Sequence, residues 1–92
     1  MRLVWRRRAL ADLAEAYDWL AERSPRAART NEERIRRAAE SLIDLPDLGS
    51  LLSDDVTRRL AVRRTSYLIY YRVVGAEIVI DAVLHKRRNR PT

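Results

Sequence analysis

No cysteine occurs in the 92 residues, so neither a disulfide framework nor a thiolate metal site is available. There is one histidine, His85, with no suitable carboxylate cluster to accompany it, so a metal site is not expected. The longest apolar stretches fall well short of the roughly 20 residues a membrane helix needs. The basic start is not followed by an apolar block of the secretory kind. A cytoplasmic protein with no cofactor and no membrane partner is therefore expected. No repeat or low-complexity segment divides the chain, and its length leaves room for one modest core. Residues 1–92 are expected to form a single domain ending in a basic tail over about 86–92.

What is present is a globular balance, 47% apolar and 35% charged residues, with an uneven distribution of charge. Of the 19 basic residues only Lys86 is a lysine. Residues 1–56 hold ten basic and eleven acidic side chains, a sum of −1. Residues 57–92 hold nine basic side chains against Glu77 and Asp81, a sum of +7. That field favours an anionic partner, whether nucleic acid, ribosome or an acidic protein segment.

Leu3 and Trp5 alternate with charged neighbours and predict a short strand over residues 2–6. From Arg7 the period changes, and Ala9, Leu10, Leu13, Ala16, Tyr17 and Leu20 share one side of a helix running to about Arg23. Ser24-Pro25 supplies an N-cap and a first helical residue for a second helix, with Ala28, Ile35, Ala38, Ala39 and Leu42 on its apolar side. So short a break predicts an antiparallel helical hairpin. After Leu45-Pro46-Asp47-Leu48-Gly49, residues 50–56 read as a loop. Thr57–Val62, Tyr67–Val74 and Glu77–His85 then read as strands, the last two joined by Gly75-Ala76, a type II′ turn signal.

The expected fold class is α+β, in the order β-α-α-β-β-β, an antiparallel sheet with a helical hairpin on one face. An unbroken register from the Gly75-Ala76 turn would pair Tyr70 with Asp81 and Leu68 with Val83. It would put Ile78, Ile80, Ala82 and Leu84 on the core face and Leu68, Arg72, Val83 and His85 on the open one.

Several segments together resemble the RelE/ParE family of toxins, nearer the ParE branch. They are Trp5-x3-Ala9-x2-Asp12-Leu13, Tyr17-Asp18-Trp19-Leu20, Leu42-x3-Pro46-x2-Gly49, Tyr67-x3-Tyr71-Arg72-Val73 and Val83-Leu84-His85-x2-Arg88. The resemblance implies a toxin encoded beside an antitoxin that wraps and silences it. ParE-like members poison DNA gyrase without an established catalytic residue, whereas RelE-like members cut messenger RNA in the ribosomal A site. Contact with operator DNA is expected only through the antitoxin, which in this family carries the DNA-reading fold.

RNA cleavage needs a base or positioned arginine, cations for the phosphorane and an acid for the leaving oxygen. RelE-like enzymes place an arginine on the penultimate strand where this chain has Leu68, and an aliphatic side chain cannot serve that role. Were the chain a ribonuclease, His85, Arg72 and Arg88 would be its catalytic candidates. Arg72 has a plainer expected partner in Asp81 across the strands. For a toxin that acts by binding, the target-contacting candidates are Lys86, Arg87, Arg88 and Arg90 in the tail, with Arg72.

The antitoxin-binding candidates are Trp19, Asn31 and the arginines at 58, 59, 63 and 64. Trp19 falls roughly 120° from the centre of its helix's apolar side, among Asp12, Glu15, Asp18 and Glu22, and tryptophan is enriched at interfaces. Asn31 falls within the apolar side of the second helix, where the family usually has phenylalanine. Arg58, Arg59, Arg63 and Arg64 would suit an acidic partner, with charge speeding association and apolar anchors setting the lifetime.

Overall fold

The computed structural model describes residues 1–87. Strand β1 (Arg2–Trp5) leads into helices α1 (Arg7–Ala21) and α2 (Pro25–Ser41), followed by β2 (Ser50–Leu51), β3 (Arg58–Ala61), β4 (Tyr67–Val74) and β5 (Glu77–His85). The fold is α+β as expected, with β2 an unexpected two-residue addition from the segment read as loop. The sheet runs β1-β5-β4-β3-β2, with β1 parallel to β5 and the other pairs antiparallel.

Local chemistry sets the helix boundaries. The Ser24 hydroxyl accepts the Ala27 N–H at 3.1 Å and Pro25 follows it, so α2 starts where the Ser-Pro pair predicts. Helix α1 stops at Ala21, before the expected Arg23, because the N–H groups of Arg23 and Ser24 both turn back to the Leu20 carbonyl. Ala9, Leu13 and Ala16 of α1, with Ile35 and Ala39 of α2, are buried on one face of the sheet against Ile69, Tyr71, Ile78, Ile80 and Val83. The alanines let the helix backbones approach closely, and the branched residues fill the space between layers.

The β4–β5 hairpin begins as predicted. Gly75 has φ 58°, and Ala76 is not among the non-glycine residues with positive φ, the type II′ signature. Val74 pairs with Glu77, Arg72 with Val79 and Tyr71 with Ile80. The expected register then fails. A bulge intervenes, Tyr70 pairs with Ala82 rather than Asp81, and Leu68 pairs with Leu84 rather than Val83. Asp81 is the extra residue. Every assignment beyond it reverses, so Val83 joins the core and His85 lies beside Tyr67 on the core side, while Ala82 and Leu84 turn to the open face.

Two side-chain contacts fit this irregularity. Strand β1 ends beside Ile80, and beyond it the Asp12 carboxylate of α1 accepts the Val83 N–H at 3.0 Å. Asp81 receives two hydrogen bonds from the Arg72 guanidinium, at 2.7 and 3.0 Å. The Asp12 that carries part of the family resemblance thus does structural work at the edge of β5.

Tyr71 ties the loop after α2 to the sheet. Its hydroxyl donates to the Pro46 carbonyl and accepts the Gly49 N–H, each at 2.8 Å. Burial raises its pKa above that of a free phenol. A Cβ on Gly49 would lie 2.8 Å from Tyr71 Cε1 and 2.9 Å from its hydroxyl oxygen, so only glycine fits without displacement. The Pro46-x2-Gly49 spacing is the footprint of that phenol. Below it, Asp54 accepts the N–H groups of Val56 and Thr57 and the Thr57 hydroxyl, contacts that lower its pKa and close the β2–β3 connection.

Candidate functional site

On the open face of the sheet, charges pair where β1, β5 and β4 meet. Arg2 pairs with Glu77, and Arg72 pairs in bidentate fashion with Asp81, with Arg6 at 3.8 Å from the same carboxylate. The Asp81 hydrogen bonds raise the Arg72 pKa further. The cross-strand partner expected for Arg72 is therefore present, and its guanidinium is engaged. Leu68 lies on this face between Ala61 and Leu84. Tyr70 is buried there, its hydroxyl without a hydrogen-bond partner among the described residues.

His85 belongs to the other side. Its ring meets Tyr67 edge-to-face with centroids 5.2 Å apart, and its Nδ1 accepts the Arg87 N–H at 3.1 Å. That bond requires an unprotonated Nδ1. His85 and Arg72, which a ribonuclease reading groups together, occupy opposite faces, and Arg88 lies outside the described residues, as does Arg90. Lys86 and Arg87 are exposed just past β5, where the Lys86 N–H donates to the Ser66 carbonyl. No cluster of three potential metal-ligating side chains forms among the described residues, and none of their helices is long and apolar enough to cross a membrane.

The other distinctive surface is the flank between α2 and β3. Strand β2 pairs with Arg58 and Arg59, and among the described residues Leu60 and Ala61 have no strand partner on that side. A groove of about 310 Å³ opens there, lined by Ala38, Leu48, Leu60 and Val62, with Arg37 and Arg63 among the charged side chains at its margin. Unpaired strand edge, aliphatic floor and guanidinium rim suit an extended or helical segment with aliphatic anchors and acidic flanks.

The four arginines expected to suit an acidic partner stand in different settings. Arg58 lies on the core side of β3, where it donates to the Gly49 carbonyl at 2.8 Å and sits 3.4 Å from the Asp47 carboxylate, holding the loop. Arg59, one residue on, points to the opposite face. Arg63 rims the groove, and Arg64 lines a neighbouring cleft together with Asn31. Asn31 is half-buried rather than enclosed, at the edge of that open cleft. Trp19 remains 37% exposed, with the Arg23 guanidinium stacked 3.9 Å from its ring centroid. Arg34 and Arg37 went unread in the sequence. Their helical positions are visible there, but the groove they border exists only because β2 is short.

Comparison with known proteins agrees with this architecture. The family model described as "ParE toxin of type II toxin-antitoxin system, parDE" matches residues 3–90. Toxin RelE2 of Caulobacter vibrioides is 36% identical over 87 residues, covering 95% of this chain and 97% of the relative. Toxin RelE1 of the same organism is 29% identical over 85 residues, covering 90% of each. A solved structure described as the chromosomal ParDE TA system from P. aeruginosa superposes with a TM-score of 0.81 at 27% identity, over 92% of this chain and 95% of the other. With the fold, the motifs and nearly the full length in agreement, the chain belongs to the ParE toxin family of type II toxin–antitoxin systems.

Proposed function

We propose that this toxin inhibits DNA gyrase by binding it, without catalysis of its own, and that a cognate antitoxin holds it inactive. The observation that carries the non-catalytic reading is the separation of the acid–base candidates. His85 stands on the Tyr67 side of the sheet, and Arg72 is locked to Asp81 on the other. A general acid and a phosphorane-stabilising cation must converge on one phosphate, and these two do not. Leu68 on the open face adds to the argument, since no cation stands at that position. Lys86 and Arg87, exposed after β5, together with Arg88 and Arg90 of the tail, are the target-contacting residues of this reading.

The antitoxin reading rests on the flank of α2. An acidic segment with aliphatic anchors fits the groove between α2 and β3, and Trp19 offers a second apolar contact on the hairpin. The test is a supercoiling assay with purified gyrase and the antitoxin-free toxin, run beside an in vitro translation reaction. Loss of supercoiling with translation intact is the expected result. Cut messenger with gyrase unaffected would instead support the RelE-type ribonuclease reading that the relatives' names suggest. Silence in both assays would identify a non-toxic antitoxin binder.

A further inference from the structure

We infer that the cleft between the α1–α2 turn and the β3–β4 turn is a carboxylate-reading subsite that selects an acidic side chain of the antitoxin; this rests on the antitoxin reading above. The cleft has a volume of about 420 Å³, and Arg26, Arg34 and Arg64 line it with Ser24, Thr30 and Asn31. No acidic side chain lines it. Seven of the described arginines elsewhere, Arg58 and Arg72 among them, have a carboxylate within ion-pair distance, while others such as Arg29 and Arg59 stand singly on open surface. Among the described residues, the three guanidiniums of this cleft have none. Three uncompensated cations in one concavity make a local field that an anion relieves.

The Asn31 amide strengthens the assignment. It sits half-buried between the buried positions Ala28 and Ile35 of α2, and it makes no hydrogen bond among the described residues. An amide in that position can donate to a carboxylate while the guanidiniums supply the charge. The backbone is also committed to the arrangement. Arg64 adopts a left-handed conformation, φ 63°, and Arg34 fixes it by donating to its carbonyl at 3.1 Å. Glycine or asparagine takes that conformation more readily than arginine, so an arginine stands where the main chain does not favour it, a pattern associated with function.

Continuity identifies the occupant as a polypeptide. Arg34 lines both this cleft and the aliphatic groove, and Arg63 of the groove adjoins Arg64 of the cleft. A single track therefore runs along α2, aliphatic toward Leu48 and Leu60 and cationic toward Asn31. A nucleic acid has no aliphatic run to lay in the first half. A protein segment with hydrophobic anchors followed by an Asp or Glu fits both.

The experiment uses the purified toxin and the antitoxin encoded beside it. Arg64→Gly, Arg26→Glu and Asn31→Leu variants are titrated against wild-type antitoxin and against a set in which each antitoxin acid is changed to its amide. Each toxin variant should bind about tenfold or more weakly, with thermal stability retained. One acid-to-amide change should lose a similar factor against wild-type toxin and little more against Arg64→Gly, the non-additivity of a direct contact. Cleft variants that bind as tightly as wild type, or losses that add for every antitoxin acid, would overturn the subsite and leave the antitoxin reading standing. A wild-type toxin that does not bind the antitoxin would overturn both.

Discussion

Replacing Tyr71 by phenylalanine removes one oxygen from the fully buried ring and leaves its packing intact. The loss strands two groups, the Pro46 carbonyl and the Gly49 N–H, both bonded to that oxygen at 2.8 Å. An intramolecular hydrogen bond contributes about 1 kcal/mol net, and a buried group left without a partner costs about 1–3 kcal/mol. Pro46 is partly exposed and can recover a water, whereas Gly49 is buried beneath the ring. The expected loss is therefore about 2–3 kcal/mol. For a domain of this size that lowers the melting temperature by roughly 10–20 °C. Urea unfolding followed by circular dichroism should show a lower midpoint with an unchanged slope, the mark of altered stability without altered compactness. A loss below about 0.5 kcal/mol would refute the latch, because it would mean that the loop gains nothing from the phenol.

The raised pKa of Tyr71 adds a pH dependence. The folded state holds the phenolic proton more tightly than the unfolded one, so stability is complete below the ordinary tyrosine pKa and declines as pH rises through the folded value. The extra alkaline loss should vanish in Tyr71→Phe. Asp54, whose pKa is lowered by Thr57 and Val56, works in the opposite sense: its contribution is present above the ordinary carboxylate pKa and fades as pH falls through the folded one, a decline that Asp54→Ala should abolish in acid melts. Arg72→Ala should cost about 1–3 kcal/mol by taking both hydrogen bonds from a half-buried Asp81 carboxylate and leaving it only Arg6 at 3.8 Å, and Asp81→Asn in the same chain should recover part of it in a double-mutant cycle. Asp12→Ala should cost about 1–2 kcal/mol by orphaning the Val83 N–H, with faster hydrogen exchange at Val83 as the local readout.

Features governed by neighbours in the chain were legible in the sequence. Ser24-Pro25 opened α2, Gly75-Ala76 turned the hairpin, and both β4 and β5 have the bounds their composition predicts. The bulge at Asp81 was not legible, because the regular alternation of β5 gives no local sign of it and its contacts come from elsewhere. Asp12, which holds the Val83 N–H, lies 71 residues away. That one unseen residue placed His85 on the wrong face. The surroundings of the arginines at 58, 59, 63 and 64 were illegible for a related reason: adjacency along a strand and turn says nothing of which loop, groove or face each guanidinium meets. Asn31 stood out as an amide on an apolar stripe, and it is half-buried. What surrounds it, including Arg34 and the left-handed Arg64, depended on how the β3–β4 turn packs against α2.

The bulge also marks where the chain can change length. Removing a residue from a regular strand turns every later side chain over, exchanging inside for outside. Asp81 is the surplus residue between two correctly paired stretches, Tyr71 with Ile80 before it and Tyr70 with Ala82 after it. Its deletion would join those stretches into an unbroken ladder with Val83 and His85 still facing the core side. Within β5, this is the position at which a one-residue gap between relatives can fall without rebuilding the domain, and a gap-free alignment across it would compare inward residues with outward ones.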